Sequence, residues 1–115
     1  MEAARRKELQ EQYKQRKPAM GVLGVLGPDE RYHLEISRQV EALVNRTRFQ
    51  LELGSHPYHA LQKAWTAHSG SGFHIRVMKA LPADALMEDD DPRDALDLLL
   101  MACQDELQAQ GMQPY

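Results

Sequence analysis

The chain has 115 residues, enough for one domain with a single modest core and too few for two. Its one cysteine, Cys103, excludes an internal disulfide and fits a reducing cytosol. No apolar run approaches the roughly 18 residues that cross a bilayer, and the charged start MEAARRKELQEQYKQRK lacks the apolar stretch of a signal peptide. The expectation is a soluble, cytoplasmic protein. The formal net charge of −3 hides a split: residues 1–79 carry 13 Lys/Arg against 8 Asp/Glu, and residues 80–115 carry 1 against 9. Such asymmetry fits a basic binding face beside an acidic segment, or ordinary solvated helix surface.

Residues 3–16 are rich in good helix formers and predict a first helix within 1–18, ended by Pro18. Val22, Leu23, Val25 and Leu26 predict a strand. Tyr32, Leu34 and Ile36 alternate in a second one after the Gly27-Pro28-Asp29 turn. A helix is then expected to open at Ser37, with Val40, Leu43, Val44, Thr47 and Leu51 on its buried face and Gly54 as its left-handed cap. Ser55-His56-Pro57 reads as the start of another helix, with Leu61, Ala64, Trp65 and His68 along one side.

Ser69 to Gly72 breaks that helix, and Phe73 to Met78 alternates as a third strand closing the segment 20–79. An acidic connection leads to Asp91-Pro92, which starts a last helix over 92–110 striped by Leu96, Leu99, Leu100, Cys103 and Leu107. The three strands need helices on at least one face to be buried. The fold class is therefore α/β (α+β), a small sheet flanked by helices.

Several residue types invite a chemical reading. His56 and His59 stand three apart, and His68, His74 or Cys103 could join them by folding, but scattered histidines with one cysteine make a weak metal signal. His56 and His59 read better as surface residues at a helix start, and His74 as exposed or hydrogen-bonded. Cys103 lies in an apolar stripe, where burial raises a thiol pKa and dulls it. Met20, Met78 and Met101 read as packing residues. Gly21, Gly24 and Gly27 are followed by no phosphate-loop signature and serve the hairpin. Arg46 and Arg48, two positions apart, point in different directions on their helix, so only one of them can face a given cleft.

Three stretches, KELQEQYKQRKPAMGV, NRTRFQLELGSHPYHALQKAW and DALDLLLMACQDEL, together with the order of elements, resemble the GIY-YIG nuclease family. The likeness is closest to its small stand-alone bacterial members. The resemblance implies a three-stranded, mostly antiparallel sheet. It also implies a phosphodiesterase site built from a tyrosine in each of the first two strands, an arginine on the next helix and a metal-holding glutamate on a later one.

Carried onto this chain, the first tyrosine position reads Gly21-Val22-Leu23, a leucine in place of tyrosine. The second reads His33-Leu34-Glu35, a histidine, with Tyr32 one step away. The arginine is Arg46 or Arg48. The glutamate position falls near Leu100, which offers a hard cation no oxygen. Asp97 lies about one turn away, a poor substitute given how tightly such sites are positioned.

The expectation is a GIY-YIG-like protein that has lost nuclease catalysis, with vestigial site residues Tyr32, His33, Arg46 and Arg48. It would bind DNA or RNA weakly through a basic cleft of Arg38, Arg46, Arg48 and Lys63, without a cofactor or metal. One alternative is a non-catalytic protein-interaction or regulatory module. Another is a metal-dependent endonuclease with a rebuilt site, using magnesium, with His33 or Tyr32 as general base. The acidic segment Glu88 to Asp91 can screen the basic face or recruit a basic partner.

Overall fold

A computed structural model of the chain describes residues 19–81 and 91–115. The expected helix over 3–16 and most of the acidic connection, including Glu88, Asp89 and Asp90, lie outside the described residues. In order, the elements are β1 (Met20–Leu26), β2 (Arg31–Ser37), α1 (Val40–Leu53), α2 (His59–Ala67), β3 (His74–Leu81), α3 (Pro92–Ala109) and β4 (Gln113–Pro114). No helix among the described residues is long and apolar enough to cross a membrane.

The centre is β1, with the sequence MGVLGVL and burial on both faces from Met20 to Val25. It pairs antiparallel with β2 on one side and β3 on the other. A strand apolar on both faces must be covered on both, and the helices divide accordingly. Leu23 and Val25 enter a core with Val40, Leu43 and Leu51 of α1 and Leu61 of α2. The alternate residues face α3. Tyr32 on β2 receives a hydrogen bond from Gln108 (3.2 Å). Lys79, opposite Val22 in the ladder, pairs with Glu106 at 3.0 Å. Leu96, Cys103 and Leu107 are the buried residues of α3. The α+β class stands, as a sheet with helices on both faces.

The sheet has four strands in the order β3-β1-β2-β4 and is mixed, where three mostly antiparallel strands were expected. The added strand, β4, runs parallel to β2 and pairs with Arg31 and Tyr32 only. A two-residue strand of sequence Gln-Pro has no periodicity to read. It exists because the chain leaving α3 returns to the hairpin, where the Tyr115 N–H donates to the Tyr32 carbonyl (2.9 Å) and the Tyr115 hydroxyl to Asp29 (2.7 Å). Beyond Tyr32 the outer edge of β2 is unpaired among the described residues.

Two helix starts also differ from expectation. β2 continues through Ser37, and α1 begins at Val40 with Gln39 as its cap residue and no side-chain cap. The Ser37 hydroxyl instead accepts from the Gln39 N–H (3.0 Å), closing the strand-to-helix turn. α2 begins at His59, not at the Ser55-His56-Pro57 signal, because the backbone of His56 is held elsewhere. Two other terminal signals behave as their chemistry dictates. Gly54 caps α1 in the left-handed region (φ 78°), and Asp91 caps α3 by accepting from the Arg93 N–H (2.9 Å), with Pro92 at the first helical position.

Among the packing residues, Met20 and Cys103 are buried, as their apolar stripes require, whereas Met101 is 58% exposed. The solvent side of α3 carries it beside Leu98.

Candidate nucleic-acid interface

The face of β2 that looks toward α1 and α2 carries His33 and Glu35, directly across the ladder from Val25 and Leu23. His33 Nε2 and Glu35 Oε1 are 2.7 Å apart, and His56 Nε2 stands 3.8 Å from the same oxygen. His56, expected on the surface, is only 3% exposed. Its Nδ1 accepts the Tyr58 N–H (3.1 Å), and its own N–H donates to the Gln62 side chain (3.0 Å). Gln62 in turn donates to the Leu51 carbonyl (3.2 Å), tying the loop between the helices to the end of α1. The Tyr58 ring stacks on His33 with centroids 4.6 Å apart and planes at 27°. Its hydroxyl donates to the backbone oxygen of Tyr115 (2.7 Å).

The charges in this cluster follow from the contacts. The hydrogen bond from His33 holds the Glu35 carboxyl below its ordinary value, and the nearby His33, His56 and Arg46 add to this while burial opposes it. Burial pushes His56 down, so the fold favours its neutral ring. Both shifts depress the folded-state pKa, so both contributions to stability are lost as pH falls. The His56 part fades from the ordinary histidine value of 6.5 downward, and the Glu35 part below the ordinary carboxyl value of 4.5. Thermal unfolding followed by circular dichroism is therefore expected to show a lower Tm at pH 5 than at pH 7. A His56→Gln variant should show a flatter dependence over that interval. A parent Tm unchanged from pH 7 to 5 would contradict a neutral, buried His56.

His33, Glu35 and His56 offer ligand atoms within 4.8 Å of one another, the one such grouping with metal-like spacing among the described residues. The donor set does not fit a cation in this arrangement. Nδ1 of His56 faces an N–H donor, so the neutral ring carries its proton on Nε2, the atom that would have to coordinate. The 2.7 Å contact is a hydrogen bond, whereas ligand atoms around a tetrahedral zinc stand about 3.3 Å apart. In the trio the Glu35 carboxylate is hydrogen-bonded to His33, with His56 nearby at 3.8 Å. His59, His68 and His74 are exposed, and Cys103 lies in the opposite layer.

The positions that the resemblance equates with a nuclease site are placed differently from one another. Leu23 is fully buried in the core. Tyr32 faces α3, on the other side of the sheet from His33. Leu100 is half-buried on α3, also across the sheet, and Asp97 is exposed on the same helix. Of the polar positions, His33 and Arg46 share the side of the sheet on which Leu23 is buried, with Arg46 close enough to act on Glu35.

The arginines separate as well. Arg38 and Arg46 line one cleft of about 350 Å³ with Ser37, Gln39, Ala42 and Leu43, at the amino end of α1. A second cleft of about 460 Å³ shares Ser37 and Arg38 and continues to Arg93, with Asp91 beside it. The basic surface thus runs from α1 around the open edge of β2 toward the start of α3. Arg48 and Lys63 are exposed but line neither cleft. On a 3.6-residue helix Arg48 stands about 200° round from Arg46, so it leaves this side.

Glu35, Tyr58 and Gln62 are site residues that periodicity does not single out. The one legible signal is the i, i+2 spacing of His33 and Glu35, which puts both on one strand face. No protein-family model, curated protein or solved structure matches the chain.

Proposed function

We propose that this chain is a GIY-YIG-like protein that binds the sugar-phosphate backbone of nucleic acid and has lost metal-dependent cleavage. The observation that carries the binding is the convergence of Arg38 and Arg46 on one cleft beside the unpaired edge of β2. Guanidinium groups match phosphate oxygens with two parallel hydrogen bonds, and two of them in one cleft suit a polyanion better than an isolated surface charge does. The loss of cleavage rests on residue chemistry. Leucine stands at the first tyrosine position and near the glutamate position, histidine stands at the second tyrosine position, and Leu23 and Leu100 lie in different layers.

The test is a salt titration of binding to labelled DNA and RNA oligonucleotides. Each phosphate contact contributes about 0.7–0.9 to the slope of log affinity against log salt. The Arg38→Ala/Arg46→Ala variant is expected to bind more weakly and to lose between one and two units of slope. Arg48→Ala/Lys63→Ala should change the slope less. Oligonucleotides incubated with magnesium or manganese should stay intact. No binding by the parent at low salt would refute the proposal.

A second reading, a protein-interaction module, is favoured by a different surface. The outer side of α3 exposes Leu98 (68%) and Met101 (58%) among Asp94, Asp97 and Asp105. An apolar pair rimmed by carboxylates suits a basic, amphipathic protein segment. A parent that binds no nucleic acid would make this the better account.

A further inference from the structure

We propose that the nucleic acid held by the arginine cleft is single-stranded, and that one of its bases stacks on Tyr58. The inference rests on the backbone-binding reading above and adds the class of strand and a second contact point.

Tyr58 is 42% exposed, yet its ring is held at the hydroxyl and along one face. The hydroxyl is pinned to the Tyr115 backbone oxygen and the main-chain N–H to His56. One ring face rests on His33, whose own imidazole is fixed by Glu35. The face against His33 is covered, so a base would have to land on the opposite one. A ring already fixed loses little conformational freedom when a base lands on it, which is what makes a stacking platform effective. The His33–Glu35–His56 network, which does not fit a metal, has in this reading the task of holding the platform.

The position of the platform is consistent with a strand that reaches the cleft. His33, Glu35 and Ser37 follow one another on the same face of β2. His33, beneath Tyr58, thus stands about 13 Å along the strand from Ser37 in the arginine cleft. A short run of extended nucleic acid spans that distance. Between the two points sits the ionised Glu35, which repels phosphate. The backbone is therefore kept on the Arg38–Arg46 side, and the uncharged part of the nucleotide, the base, is what can approach Tyr58. A duplex hides its base faces inside its own stack and has none to offer, so the arrangement selects a single strand.

Binding of a single-stranded oligonucleotide and of the matching duplex is compared at several salt concentrations for the parent, Tyr58→Ala, Tyr58→Phe and Arg46→Ala. The parent is expected to prefer the single strand at least tenfold. Tyr58→Ala should bind it about ten- to a hundredfold more weakly with an unchanged salt slope, because stacking and not a phosphate contact is removed. Tyr58→Phe keeps the ring and should retain most of the affinity, whereas Arg46→Ala should reduce the slope. Photo-cross-linking with an iodouridine-bearing strand gives a readout on the unaltered protein, and the adduct is expected at Tyr58.

Equal affinity for single strand and duplex, a folded Tyr58→Ala variant that binds like the parent, or cross-links only elsewhere would each overturn the stacking inference. A retained loss of slope in Arg46→Ala would then leave backbone binding standing. A parent that binds neither form at low salt overturns both.

Discussion

Replacing Leu61 by alanine is expected to destabilise the fold by about 2–5 kcal/mol, a large share of the 5–15 kcal/mol typical of such a domain. Leu61 is fully buried against Leu23, Val25, Val40, Leu43 and Leu51. It is also the only fully buried residue of α2, a helix of nine residues. A helix that short has little stability of its own and depends on its packing. Removing the anchor leaves a cavity and loosens the end of the loop that carries His56 and Tyr58. Urea unfolding at pH 7 measures the effect, and nucleic-acid affinity should fall with it. Leu98→Ala, at a site 68% exposed, is the contrast and should shift stability by no more than about 0.5 kcal/mol. A loss below about 1 kcal/mol for Leu61→Ala would mean that α2 is held by something other than this core.

The second large effect is expected at Gly21, and its neighbour Gly24 shows why. A Cβ placed at Gly21 would run into the backbone carbonyl of Lys79 on β3. At Gly24 the obstacle is the side chain of Met78, which can change rotamer. The difference traces to the ladder, where Val22 faces Lys79 but Leu23 faces Val77, so Met78 is an extra residue on β3. Such a bulge kinks its strand and alters how closely the two backbones approach. Gly21→Ala should therefore cost about 3 kcal/mol or more, by forcing backbone to move, and Gly24→Ala about 1 kcal/mol or less. Thermal unfolding of the two variants side by side gives the comparison. Equal losses would show that close approach at the bulge does not govern this strand pair.

Local chemistry was enough to determine much of this protein from its sequence. The hairpin around Gly27-Pro28-Asp29, the buried stripe of α1, the left-handed cap at Gly54 and the Asp91-Pro92 start of α3 depend on residues near one another in the chain. Periodicity and turn chemistry report such interactions directly. The burial of Leu61 and Cys103 was legible for the same reason.

What the sequence left open depended on segments meeting from far apart. β4 forms only because Gln113 and Pro114 return to Arg31 and Tyr32. Alternation groups Tyr32, Leu34 and Ile36 on one face of β2. Helices on both sides of the sheet then enclose His33 and Glu35 as well, and the loop between α1 and α2 folds His56 onto them. Ser37 and His56 looked like helix starts because their side chains suit that role. Their backbones were claimed instead by the turn at Gln39 and by Gln62. Whether Arg46 or Arg48 faces the cleft was undecidable from a spacing of two. The packing of Leu43 and Thr47 fixes the rotation of α1, and it brings Arg46 beside Arg38. A side chain's partners across the fold are set by which faces the helices cover, and that is decided only when the whole core closes.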